Sequence, residues 1–76
     1  MRVDPLRSAT NHLREVRERR GWTQLQVARH LGSSQSRVAK MEAADASVSL
    51  DLLVKSLLAL GVSRGEVGRV IAAKAA

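Results

Sequence analysis

The stretch TQLQVARHLGSSQSRVAKME, residues 23–42, contains two short helical patterns separated by a glycine. Thr23 is followed three residues later by Gln26, a capping box that predicts the start of the first helix. Gly32 ends that helix, because glycine readily takes the positive φ that a helix C-terminus requires. Ser34 is a favourable N-cap, so a second helix is predicted to begin directly after the turn.

The second helix of this pair has an apolar side and a polar side. Val38 and Met41 form its inward pair, whereas Gln35, Ser36 and Lys40 lie on the outward face. Two short helices joined by a glycine-containing turn, the second with hydrogen-bonding side chains outward, form a helix-turn-helix. The second helix of that motif enters the DNA major groove, so the stretch predicts an interface with duplex DNA.

The flanking segments have apolar residues at helical spacing, and they lack the alternation that is typical of strands. Three further helices are therefore predicted, one before the stretch and two after a loop at residues 43–48. Their boundaries are Asp4-Pro5 with Gly21, Ser49 with Gly61, and Ser63, which is expected to form a capping box with Glu66. The sequence thus predicts an all-α fold of five helices in a single domain, residues 1–76.

The formal charge of +6 is unevenly distributed along the 76 residues. Residues 1–40 contain nine Lys or Arg and three Asp or Glu, whereas residues 41–76 contain four of each. Such asymmetry favours a polyanionic partner at a surface built by the first half of the chain.

Composition also indicates a compartment. Cysteine is absent, which excludes a disulfide framework and thiolate metal ligands. No signal peptide is visible, and charged residues interrupt the longest apolar stretch, at residues 50–60. We expect a cytoplasmic, nucleoid-associated protein with no membrane contact.

Neither catalysis nor a bound cofactor, metal or small-molecule ligand is expected. The chain has no glycine-rich phosphate loop and no nucleophile with a base nearby in the pattern. His12 and His30 lie on different helices without a carboxylate at ligand spacing, so no metal site is predicted.

A family resemblance rests on five positions of the central stretch. The spacing of Gln24, Ala28, Gly32, Val38 and Met41 resembles the signature of the Cro/repressor-type (xenobiotic-response-element) helix-turn-helix family. The similarity extends over roughly residues 10–63, from LREVRERRGWTQ through SQSRVAKME to SLDLLVKSLLALGVS. It implies a compact five-helix, lambda-repressor-like DNA-binding domain with the helix-turn-helix core at residues 23–42.

The resemblance also implies roles for individual side chains. Gln35 would read adenine through two hydrogen bonds, and Gln24 would hold a phosphate and brace Gln35. Helix starts would bind phosphates through backbone N–H groups. Arg17 and Glu42 match a buried ion pair that orients the recognition helix. The expected DNA contacts are Thr23, Gln24, Ser34, Gln35, Ser36, Arg37 and Lys40.

Two features depart from the family pattern. The loop at residues 43–48 is usually basic in the family, but here it contains no cation. Positions 52 and 58 are usually polar, but here they are leucines, and a small domain is not expected to bury every apolar residue of the fourth helix. The helices of residues 49–74 are therefore expected to form a dimer or partner surface. Its candidate residues are Leu52, Leu58, Val67, Val70 and Ile71.

Three functions follow from these patterns. The first is a sequence-specific repressor that binds an inverted-repeat operator as a homodimer, with recognition helices about 34 Å apart. The second is an antitoxin that neutralises a small RNase toxin and represses its own operon, as several small members of the family do. The third is a protein-interaction module that keeps the fold without reading DNA.

Overall fold

Helices α1 to α5 account for all regular structure in the part of the chain that the computed structural model describes, residues 4–75. Their order and positions confirm the all-α, five-helix prediction. The bounds are Pro5–Arg19 for α1, Gln24–Leu31 for α2, Gln35–Glu42 for α3, Leu50–Ala59 for α4 and Arg64–Ala75 for α5.

Side-chain caps start the helices where the sequence places them. The Thr23 hydroxyl accepts from the backbone N–H of Gln26. The side-chain oxygen of Gln26 accepts from the backbone N–H of Thr23, which completes the capping box of α2. The side chains of Asp4, Ser34 and Ser49 cap α1, α3 and α4 by accepting a single backbone N–H from the first turn, without the reciprocal bond of a capping box.

The capping box predicted at the start of α5 is only half formed. Ser63 Oγ accepts from the Glu66 amide at 3.1 Å. The Glu66 carboxylate instead lies 2.7 Å from His12 Nε2 on α1. A tertiary contact with an imidazole has therefore replaced the local one, and it ties α5 to α1.

One hydrophobic cluster holds the helices together, with α1 packed against α3, α4 and α5. The α2–α3 pair contributes the residues expected to face inward, because Val27, Ala28, Val38 and Met41 are all buried. The largest fully buried side chains are Leu13, Val27, Val38, Met41, Leu53 and Leu57.

Helix α4 is covered more completely than its sequence suggests. Leu52, expected on the back of the helix, is half-buried and packs against the core, as does Leu58. The cause is that three helices, α1, α2 and α5, all contact α4.

The prediction that Val67 belongs to a dimer or partner surface is wrong. It is only 5% exposed and belongs to the core, so it offers almost no surface to a partner. Val70 and Ile71 of α5 are half-buried and keep part of their apolar surface exposed.

Gly32 provides a test of the turn between α2 and α3. We expect Gly32→Ala to lower the free energy of unfolding by about 1 kcal/mol, because alanine is strained at a φ of +63°. No atom lies within 4 Å of the added Cβ, so the effect is conformational and not steric. Gly68→Ala, inside α5 with equally open surroundings, should raise the same quantity by about 0.5 to 1 kcal/mol. Urea unfolding measures both variants, and a loss of stability at both positions would contradict the prediction.

Candidate nucleic-acid interface

The outward face of the helix pair brings together the polar side chains of α3 and the first residue of α2. Gln35, Ser36, Arg37 and Lys40 are all exposed, and Gln24 is half-buried beside them. The core contacts of Val38 and Met41 on the other side of α3 hold this face outward.

A chain of hydrogen bonds orients the amide of Gln35. Gln24 Nε2 donates to Glu42 Oε1 at 3.3 Å, and Gln35 Nε2 donates to Gln24 Oε1 at 2.8 Å. An ionised carboxylate can only accept, so Glu42 requires the NH₂ group of Gln24 and directs the Gln24 oxygen towards Gln35. Gln35 then retains its oxygen and one N–H, the acceptor and donor that match adenine N6 and N7.

The carboxylate at the inner end of this chain is held by Arg17. Arg17 Nε donates to Glu42 Oε2 at 2.6 Å and Nη2 donates to Oε1 at 3.0 Å, which links α1 to the last residue of α3. The hydrogen bond to Glu42 raises the pKa of Arg17 above its ordinary value. Glu42 is only 4% exposed, so a two-bond cationic partner compensates its burial. Arg17 also donates to the carbonyl of Trp22, which holds the chain between α1 and α2.

The cap hydroxyls lie at the edges of the same face. Thr23 and Ser34 each accept a backbone N–H, and their hydroxyl protons remain free to donate. Ser34, Ser36, Arg37 and Lys40 line one side of a groove of about 350 Å³, which Ser47, Val48 and Leu52 close on the other side. This groove therefore combines hydroxyl donors with two cations.

The loop between α3 and α4 carries negative charge. The backbone N–H and hydroxyl of Ser47 hold the pKa of Asp45 below its usual value. Asp45 therefore remains ionised at neutral pH, in a loop that contains no cation. This loop therefore offers no side-chain cation to a phosphate.

Several side-chain contacts between distant parts of the chain were not predicted from the sequence. Arg14 Nη2 donates to the carbonyl of Glu42 at 3.0 Å, and Arg20 Nη1 donates to the carbonyl of Leu60 at 2.6 Å. His12, for which no neighbouring carboxylate was expected, meets Glu66 from the other end of the chain. The sequence shows several arginines close together on α1, but it does not indicate their partners. The partners of Arg14 and Arg20 lie 28 and 40 residues further along the chain.

Trp22 packs at the junction of α1 and α2. It is half-buried against the core, its ring lies 5.0 Å from the ring of His30, and the Arg20 guanidinium lies 5.1 Å from the Trp22 ring centre. Trp22 is therefore a packing residue between α1 and the start of α2.

Comparison with known proteins gives one match. A family model described as Helix-turn-helix matches residues 13–67, which include α2, α3 and α4 completely. No curated protein and no solved structure shows significant similarity to the chain. Among the described residues, no helix has the length and apolar character needed to cross a membrane.

Proposed function

Because the chain belongs to the Cro/repressor-type helix-turn-helix family of DNA-binding regulators, we propose that it is a transcriptional repressor that reads an inverted-repeat operator as a homodimer. The observation that carries the proposal is the hydrogen-bond chain from Glu42 through Gln24 to Gln35. It leaves the Gln35 amide in one orientation, with the donor and acceptor that adenine requires.

The proposed complex places α3 in the major groove. Gln35 reads adenine, while Ser36 and Lys40 contact neighbouring base edges or the edge of the groove. Arg37, at the side of the face, contacts a phosphate. Thr23 and Ser34, with the N–H groups that open α2 and α3, hold further phosphates and so set the position of α3 on the duplex.

A homodimer fits this mode of reading. A twofold axis places two recognition helices about 34 Å apart, one turn of duplex, and doubles the recognised sequence. We keep residues 1–76 as a single domain. Its proposed dimer surface lies on α4 and α5 and uses Leu52, Leu58, Val70 and Ile71. Light scattering at tens of micromolar tests this part. A monomeric mass in the presence and absence of operator DNA would contradict the dimer.

The base-reading role is tested with a duplex selected by the wild-type protein from random sequence. Gln35→Ala should reduce discrimination between this duplex and its adenine-substituted forms by about 1 to 3 kcal/mol. Lys40→Ala should weaken binding, and it should make the negative slope of log K against log salt shallower by about 0.9 if Lys40 neutralises a phosphate. Arg69→Ala removes the same charge from an exposed position on α5, outside this face, and is the matched control. Unchanged affinity and discrimination in the Gln35→Ala, Lys40→Ala double variant would reject the proposed role.

A further inference from the structure

A second polar groove lies between α1 and the start of the α3–α4 loop. We call it the α1 groove, and its volume is about 290 Å³. Its α1 residues have the spacing i, i+3, i+4 and i+7, which places them along one face of the helix. The lining residues are Arg7, Thr10, Asn11 and Arg14 from α1, with Glu42, Ala43 and Ala44 opposite.

One of the residues that line the α1 groove has a hydroxyl group without a hydrogen-bond partner. Thr10 is 2% exposed, and its Oγ1 has no hydrogen-bond partner in the structure. Burial of a hydroxyl without a partner is unfavourable, so it identifies a position where a missing acceptor would be bound. Arg7 and Arg14 lie one turn before and one turn after Thr10, so that acceptor is expected to be anionic.

The negative charge within the α1 groove is already compensated. The Glu42 carboxylate receives two hydrogen bonds from Arg17. Arg14 donates to the Glu42 carbonyl and keeps 50% of its side chain exposed, with further N–H donors available. Ala43 and Ala44 provide only methyl groups on the opposite wall, which leaves room for a bulky anion.

The position of the α1 groove relates it to the DNA-reading face. Glu42 lines the groove and also accepts from Gln24, the residue that orients Gln35. The α1 groove therefore adjoins the face of α3 that is proposed to enter the major groove. The adjoining loop contains no cation, and on its α1 side the groove has the arginines Arg7 and Arg14.

We propose that the α1 groove binds a phosphodiester of the DNA strand that flanks the bases read by α3. Arg7 and Arg14 neutralise the phosphate, and Thr10 and Asn11 donate hydrogen bonds to its oxygens. The proposal rests on the DNA-reading function and adds to it a phosphate contact moved from the loop to α1.

Thr10→Val separates a binding role from a structural role. The change keeps the shape of the side chain and removes the unpartnered hydroxyl, so the melting temperature should stay the same or rise. Affinity for the selected duplex should fall about tenfold, because a hydrogen bond to a charged group is lost. Ser8→Ala is the matched control, because Ser8 Oγ is also buried without a partner on α1 but lies outside the groove. Equal affinity for wild type, Thr10→Val and Ser8→Ala would overturn the proposal.

Charge and position are tested by Arg7→Ala and by duplexes in which single phosphates are replaced by neutral methylphosphonates. Arg7→Ala should make the negative slope of log K against log salt shallower by about 0.9, while Arg69→Ala should leave it nearly unchanged. One flanking methylphosphonate should weaken wild-type binding and have little further effect on Thr10→Val or Arg7→Ala. Full sensitivity of both variants to every methylphosphonate would overturn the proposal.

The two proposals fail in different ways. If the wild type selects no duplex, the DNA-reading function fails. If the wild type reads DNA through Gln35 and the variants of the α1 groove behave as wild type, the function stands and the phosphate contact fails. Inorganic phosphate, titrated into the free protein and followed by the amide signals of residues 7–14, tests the other source of the anion. Saturation by phosphate without any effect of Thr10→Val on DNA affinity would assign the groove to a free anion and reject a DNA contact.

Discussion

Arg17→Ala is expected to lower the free energy of unfolding by about 3 kcal/mol. The reason is that Glu42, 4% exposed, loses the two-bond partner that compensates its burial. Gln24 and Arg14 remain near the carboxylate, which keeps the loss at the lower end of the range for broken buried pairs. A domain of this size has a total stability of about 4 to 11 kcal/mol, so the loss is a large fraction of it.

Circular dichroism during thermal unfolding measures the effect, and the melting temperature should fall by about 12 to 24 °C. Arg19→Ala is the control, because Arg19 is an exposed cation two residues further along the same helix. It should change stability by less than about 0.5 kcal/mol. Equal melting temperatures for the two variants would show that the ion pair is not needed for stability.

The double variant Arg17→Met, Glu42→Leu separates stability from orientation. A well-packed apolar pair can replace a buried ion pair with little loss of stability, so this variant should unfold near the wild-type temperature. Gln24 would nevertheless lose its acceptor, and the amide of Gln35 would no longer be held in one orientation. We expect reduced discrimination at the adenine position despite restored stability. Restored discrimination would show that Glu42 has no orienting role.

Leu57→Ala is expected to have the second large effect, a loss of about 2 to 5 kcal/mol. Leu57 is fully buried in α4, and its truncation removes apolar contacts and leaves a cavity that a small core cannot easily close. Because α1 packs against α4, the cavity also weakens the support of the helix that holds Arg17.

Leu58→Ala, one residue further along, is the matched control. Leu58 is half-buried, so its truncation should cost only about 1 kcal/mol in a monomer. Urea unfolding at two protein concentrations measures both variants. If Leu58 contributes to the proposed dimer surface, its effect should increase with protein concentration, whereas the effect of Leu57 should not depend on it. Equal losses for the two variants at every concentration would contradict this assignment of the two leucines.

Local patterns predicted the helices because the groups that start and stop a helix lie within four residues of its ends. Thr23 with Gln26, Ser34, Ser49 and Gly32 act on backbone atoms close to them, so their effect could be expected from spacing alone. The inward positions of Val38 and Met41 also follow from the period of the helix. The capping box predicted for Ser63 and Glu66 is formed only in part. The Ser63 hydroxyl accepts from the Glu66 backbone N–H, but the Glu66 carboxylate contacts the distant imidazole of His12 and not the Ser63 backbone.

The sequence by itself determined the helix ends, the helix-turn-helix pair and the presence of an exposed polar face on α3 that includes Gln35. Only the tertiary structure decided that α1, α2 and α5 cover much of α4, that Val67 lies in the core, and that Arg14 reaches the end of α3. It alone showed that Glu42 orients Gln24 and that Thr10 is buried without a partner in a groove with two arginines. The physical reason is range: capping and helical periodicity act over a few residues, whereas burial and side-chain hydrogen bonds depend on which distant segments the fold brings into contact.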